Sequence, residues 1–398
     1  MRIGFLCNEY PPGQHGGIGT ITQVLARGLV QAGHSVRVLG VYWGLTALVR
    51  HRDEGVDVWR LPHPTGRWGW ISARRELHRW VSRWARDGEI DLMEVPDWEG
   101  WAAGWPRLPV PVISRWHGCS TYFAHEMGRR AARMTRWIDR QSLRRSDFRC
   151  AVSRYTARRT AELFAMDASE VEVLHNPMSS PPLMAARKCV GQRVVFTGTL
   201  VPKKGIVPLI QAWPDVVRQC PSAELHVYGK EGKTDDGRPM IETLQQMLGV
   251  QGVSVRFHGH VSRGTLFDAL ATARAAVFPS FAEAFALAPL EAMAVGCPTI
   301  YSRLGSGPEL IDEGVHGLLI DPNHPREIAE SLIRVLTDDR LAERLGTAGA
   351  RHVRSRFSLE QAILRNVEFY ERCVSRFTAR GTDRAESADR QLAGAGCS

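Results

Sequence analysis

Two stretches of this chain, RIGFLCN at residues 2–8 and RVVF at 193–196, open the same local pattern: a short unbroken apolar run, a glycine-bearing loop, then a helical stretch. An apolar run that does not alternate is a strand covered on both faces. The economical way to cover both is a parallel sheet wound with helices. Further runs at 36–41, 56–61, 90–94, 110–114, 149–153 and 171–174 continue the first series, and 224–228, 253–258 and 275–278 the second. The pattern therefore predicts two doubly wound α/β domains, and 398 residues suffice for two cores. The Ser- and Pro-rich MSSPPLMAARK at 178–188 reads as the linker, so the domains are expected at 1–180 and 190–360. A helix over 361–377 and a tail rich in Ala, Gly, Arg and Asp, read as disordered over 378–398, would follow.

In open α/β sheets ligands bind beyond the carboxyl ends of the strands, where this chain places its glycines. After the first run, EYPPGQHGGIG carries Gly16, Gly17 and Gly19, a spacing that differs from the dinucleotide fingerprint Gly-x-Gly-x-x-Gly. After the run that opens the second half comes GTLVPKKG at 198–205. The most informative stretch is FPSFAEAFALAPLEAMAVGCP at 278–298, a strand end, a turn and a helix with Pro289 in its first turn. Free N–H groups at such a helix start favour an anion such as a diphosphate. Glu283 and Glu291 would repel that anion, so they suit hydroxyl acceptance, from a sugar and a ribose. The alternative is that Glu291 lies on a solvated helix face and Glu283 is a helix-start acid.

The Glu283/Glu291 pair with its flanks, the Lys204-Gly205 loop and the Gly16–Gly19 loop together resemble the retaining glycosyltransferases of family four, with the GT-B fold. The resemblance covers about residues 1–377. It implies two Rossmann-like domains facing across a cleft and a last helix that crosses back to the first domain. It also implies a metal-independent reaction, with no cofactor, in which a nucleotide-diphosphate sugar is the substrate. Carried over residue by residue, His117 stands after a strand where the family has a His near donor sugar and phosphate. Lys204 clamps the diphosphate, and Thr199 falls where the family has an arginine, so either Lys203 or another cation substitutes or the phosphate is held less firmly. Val261 lies at the nucleobase-side turn. Gly17, Phe285, Ala286 and Leu287 lend backbone to the donor, Glu283 its sugar hydroxyls and Glu291 its ribose. Ala284 and Ala286 replace frequent glycines. Glu309 reads as a cap, and Arg115 as an outward-facing side chain.

Charge is unevenly placed. Residues 1–150 hold 22 Arg, no Lys and 14 acids, which is +8 of the chain's +9, together with eleven of twelve tryptophans. Arginine with tryptophan suits sugar stacking, phosphate contact or a membrane surface, less specifically a nucleic acid, or simply a genome that prefers Arg to Lys. Two stretches bear on this: 72–86, with Leu77, Trp80, Val81 and Trp84 on one face, and the arginine-rich 128–149. DWEGWAAGW at 97–105 suits glycan stacking or packing between domains. The eight scattered cysteines form no Cys-x-x-Cys pair, so neither zinc nor disulfides are indicated. No apolar run reaches the ~20 residues of a membrane span. The expectation is a cytoplasmic glycosyltransferase, peripheral at most to the inner membrane face, that acts on a glycan or lipid-linked acceptor in cell-surface or extracellular polysaccharide synthesis and does not bind nucleic acid. A GT-B-like nucleotide-sugar epimerase and a noncatalytic glycan- or nucleotide-sugar-binding protein are the alternatives.

Overall fold

The structure, a computed structural model, describes residues 1–13, 16–178 and 189–395, with side chains left undescribed at 250–251 and 381–395. The first sheet contains β1 (Arg2–Leu6), β2 (Ser35–Tyr42), β3 (Val49–Asp53), β4 (Val56–Pro62), β5 (Leu92–Pro96), β6 (Val112–Trp116), β7 (Phe148–Ala151) and β8 (Val171–Val173). Its order is β3-β4-β2-β1-β5-β6-β7-β8, parallel except for β3, which folds back antiparallel on β4. Apolar periodicity does not reveal β3: its sequence VRHRD is polar, and only the Glu54-Gly55 turn, both residues at positive φ, hints at a hairpin. The second sheet holds β9 (Gln192–Thr197), β10 (Ala223–Tyr228), β11 (Val255–Gly259), β12 (Ala275–Phe278), β13 (Thr299–Ser302) and β14 (Leu318–Ile320), all parallel, in the order β11-β10-β9-β12-β13-β14.

Helices cover both faces of each sheet. The first domain has α1 (Gly17–Gln31), α2 (Gly69–Arg86), α3 (Ser120–Glu126), α4 (Arg133–Arg145) and α5 (Arg154–Phe164). In the second half follow α6 (Ile206–Gln219), α7 (Met240–Leu248), α8 (Arg263–Thr272), α9 (Leu287–Ala294), α10 (Gly307–Leu310), α11 (Pro325–Thr337), α12 (Asp339–Arg356) and α13 (Leu359–Ala395). The apolar stripe of α2 faces inward: Leu77, Val81 and Trp84 are buried in the first domain's core beside Trp105. The 178–188 linker lies, but for Met178, outside the described residues. Helix α13 crosses back as expected, and its Ile363 packs so tightly on α1 that a Cβ at Gly28 would lie 2.8 Å away. It runs on to Ala395 instead of ending before 378. Its alanines and arginines favour helix, its glycines, threonines and aspartates do not, and no proline breaks it; residues 396–398 are outside the described part.

Arg115 does not face outward. It is 3% exposed, forked onto Glu94 at 2.7 and 2.8 Å, and donates to Tyr370 Oη at 3.2 Å and Asn366 Oδ1 on α13. The sequence reading ends β6 at Ser114, one residue before Arg115, and cannot show that Glu94 on β5, the neighbouring strand, offers a buried carboxylate. Removing one partner leaves a charge buried alone. Glu94→Leu is expected to cost about 3–5 kcal/mol in urea denaturation, against less than about 1 kcal/mol for breaking the exposed pair Arg326–Glu330.

Candidate functional site

Strand order reverses between β9 and β12, which are hydrogen-bonded neighbours through Val194–Ala275 and Val195–Ala276. Their loops therefore emerge side by side although they are far apart in sequence. The contact is tight. Gly205 has φ +71°, and a Cβ there would fall 1.6 Å from the carbonyl oxygen of Pro279. Phe281 N–H donates to Lys203 O at 2.8 Å, zipping the two loops together. The consequence is that the Lys204 ammonium and the Glu283 carboxylate form a short ion pair at the mouth of the sheet.

Beyond Glu283 the chain enters α9. Its cap position, Ala286, brings no side-chain bond, and its first turn holds no acid. Among the described residues no acceptor meets the amides of Phe285, Ala286 and Leu287. These donors add to the positive end of the helix dipole. Ala284 and Ala286 adopt no positive φ, so alanine fits where glycine is frequent. Glu291 lies mostly covered on the same helix. Burial raises its carboxyl pKa, and Arg263, 3.2 Å away, pulls it back down.

Thr199 and Val261 line one cavity of about 300 Å³ with Gly198, Tyr228, Gly229 and Lys230. Lys230 is there because Gly229, at φ +147°, packs its Cα onto Gly198 O, and Leu200 N–H donates to Lys230 O at 2.9 Å. The Gly229–Lys230 loop is visible in the sequence, but its cation's place in the site is not. Lys203 points elsewhere: its ammonium sits 4.3 Å from the Phe123 ring of the first domain, and burial lowers its pKa.

In the first domain, Gly17 opens α1, but that helix start is already partly occupied. Glu9 accepts from Gly16 N–H at 3.1 Å and Gly19 N–H at 2.7 Å. It is Gly13, not Gly17, that reaches the cavity of Thr199 and Lys230; residues 14 and 15 are outside the described part. His117 follows β6, and among the described residues no hydrogen bond or ion pair joins it to Lys204 or Glu283. Its loop is held by Asp97, at the end of neighbouring β5, whose carboxylate accepts from His117 N–H at 2.8 Å and Gly118 N–H at 3.1 Å. Burial, together with neighbouring Asp139, raises the Asp97 pKa to about 7. Burial, then the charge of Arg115, lowers His117 to about 3, so its imidazole is neutral at physiological pH. Asp97, which as part of DWEGW suits glycan contact, is instead the anchor of the His117 loop.

The two domains meet on the Glu283 loop. Ser153 and Thr156, at the start of α5, donate to Ala284 O at 2.8 and 3.1 Å, and Tyr122 Oη lies 3.5 Å from Glu283 O. Glu309 is a cap, as expected, but of α5 across the interface, accepting from Arg154 and Tyr155 N–H at 2.8 and 2.6 Å.

Residues 15–179 match the family model described as Glycosyltransferase Family 4, and residues 191–338 that of Glycosyl transferases group 1. The chain is 27% identical over 395 residues to an uncharacterized glycosyltransferase of Methanocaldococcus jannaschii, covering 93% of this chain and 98% of that one. Sucrose-phosphate synthase from Thermosynechococcus elongatus superposes with a TM-score of 0.76 at 20% identity, covering 94% and 99% of the two chains. Anabaena HepE, in complex with UDP and glucose, superposes with a TM-score of 0.69 at 16% identity, covering 93% and 99%.

Two outcomes test the site's construction. Gly205→Ala should lower stability by about 2–4 kcal/mol in chemical denaturation, from the left-handed φ and the clash with Pro279 O. His117 should show no NMR titration between pH 5 and 8. Because its folded pKa is depressed, burying it neutral subtracts stability as pH falls below about 6.5, where the unfolded imidazole takes up a proton.

Proposed function

Because this chain belongs to the glycosyltransferases of group 1 and family 4 with the GT-B fold, we propose that it carries a sugar from a nucleoside-diphosphate donor on its second domain to a glycan or lipid-linked acceptor hydroxyl on its first. The observation that carries this reading is the Lys204–Glu283 pair beside the free amides of Phe285–Leu287. That arrangement sets a cation and oriented N–H dipoles where charge grows on a departing diphosphate. When the donor enters, Lys204 passes from Glu283 to the diphosphate. Glu283 is then free to accept bonds from the donor sugar's hydroxyls. Lys230, on the cavity wall beside Thr199, supplies the charge that Thr199 lacks. Val261 borders the base, and Glu291, oriented by Arg263, receives the ribose hydroxyls. Gly13 extends the first domain's glycine loop, which includes Gly17, toward the same cavity.

The reaction in this reading breaks the anomeric carbon–oxygen bond, the diphosphate leaving with the electron pair. The acceptor oxygen bonds to the same face, retaining configuration, and its proton goes to the leaving phosphate. Neutral His117 lends a hydrogen bond near the donor sugar rather than a charge. No metal takes part. The HepE complex supports a uridine diphosphate sugar as the first donor to try.

A second cavity of about 680 Å³ opens at the carboxyl ends of β1, β2 and β5, walled by Trp43, Trp98, Trp101, Tyr42 and Glu99. Trp43 is 75% exposed, and Glu99 holds an uncommon positive φ of 58°. Trp101 is buried and one face of Trp43 is stacked on His63, so the outer face of Trp43 and Trp98 are the surfaces that can stack on a pyranose, which favours transfer to a sugar acceptor over epimerisation without one. The acceptor belongs to cell-surface polysaccharide synthesis, and the first domain touches the inner membrane face.

A thermal-shift panel of UDP-, GDP- and ADP-sugars is expected to show one tight binder. Lys204→Ala and Glu291→Ala should fold yet lose transfer; wild-type turnover in either would remove its role. Lys230→Ala should weaken donor binding by about tenfold or more, the worth of one charge-assisted phosphate contact. EDTA should leave turnover intact.

A further inference from the structure

A further cavity of the first domain lies on the outer side of α2. It measures about 820 Å³ and is bounded by α2, the 103–109 loop and Trp137 of α4. Among the described residues, Arg74, Arg75, Arg79, Arg86 and Arg107 line it and no Asp or Glu does. Their partners separate them into two kinds. Arg74 is buried and structural: it donates to the carbonyls of Trp70, Glu99 and Gly100 at 3.0, 2.6 and 3.2 Å. Arg79 has Glu76 at 2.8 Å. Arg75 and Arg107 meet no acid among the described residues, and Arg86 donates only to the Ser82 carbonyl at 3.2 Å. Arg145 nearby is spoken for: it is tied to the carbonyls of Trp105 and Pro106 and paired with Asp147 at 3.9 Å. Like charges gathered in one concavity repel each other, and a bound anion relieves that cost.

The rim is apolar. Trp137 is 53% exposed and Met134, three residues before it on the same face of α4, 60%. Trp70, on the other wall, is also exposed. A soluble anion gives such side chains nothing to enter, whereas the interfacial layer of a bilayer accepts indole and thioether alongside phosphate. The inward face of α2 is consumed by the core, so the contact comes from its outward arginines with α4, not from the amphipathic stripe.

We infer that this cavity takes the phosphate of an anionic membrane lipid, with Arg75, Arg86 and Arg107 on the phosphate and Trp70, Met134 and Trp137 in the interfacial layer. This deepens the membrane contact proposed above and rests on it. Cosedimentation of the full chain with vesicles of phosphatidylglycerol and phosphatidylcholine in equal parts should show binding at low salt, and vesicles of phosphatidylcholine alone little. Arg75→Glu with Arg107→Glu should weaken the anionic-vesicle affinity by about tenfold or more. Trp137→Ser should lose most of the vesicle-induced blue shift in tryptophan emission. Unchanged melting temperature and nucleotide binding establish that these variants fold. If wild type binds vesicles and both variants bind equally well, the site is wrong while the membrane contact stands. If wild type binds none, both fail. Stabilisation by inorganic phosphate without vesicle binding would replace the lipid by a soluble anion and overturn the inference.

Discussion

The peptide after Phe278 leaves no room for a side chain at position 205, and most of the site follows from that approach. With Gly205 pressed on Pro279 O and Phe281 bonded to Lys203 O, the loops after β9 and β12 behave as one piece. Lys204 and Glu283 are then fixed in register by main chain, which costs far less disorder than holding two long side chains together from separate mobile loops. Their mutual bond also satisfies both charges when the site is empty of ligand, avoiding the penalty of a half-buried charge left alone.

The same loop is held from the other domain. Ser153 and Thr156 share the Ala284 carbonyl, Tyr122 reaches that of Glu283, and Lys203 lies against Phe123. Glu309 sits on the N-terminus of α5 in return. Several of these bonds run to one short segment, so the backbone that carries Glu283 is set by residues of both domains.

The strands, the parallel order and the loops that carry the site were legible because an unbroken apolar run ending in a glycine loop fits little besides a strand covered on both faces. Glu283 and Glu291 stood out because they share one short motif, and Lys204 because it stands before the glycine that closes the GTLVPKKG loop. What escaped was whatever depends on which strand lies beside which. Asp97 anchors the His117 loop only because β5 adjoins β6; Arg115 is buried only because Glu94 shares that neighbour. Lys230 becomes a cavity wall only because β10 lies next to β9. The polar edge strand β3 carries no apolar period to read. Gly17 looks open to a ligand in the sequence, since a lone glycine loop does not reveal a carboxylate a few residues upstream folding back over the helix start.

That carboxylate, Glu9, gives the cleft a polarity. Both domains present a helix start to the space between them, and in a bare Rossmann-like pair either could attract a phosphate. One of the two already holds its own carboxylate on Gly16 and Gly19, so its positive end is partly neutralised, whereas the start of α9 has no acid in its first turn. The two helix starts are thus electrostatically unequal, through a single side chain that folds back on its own backbone.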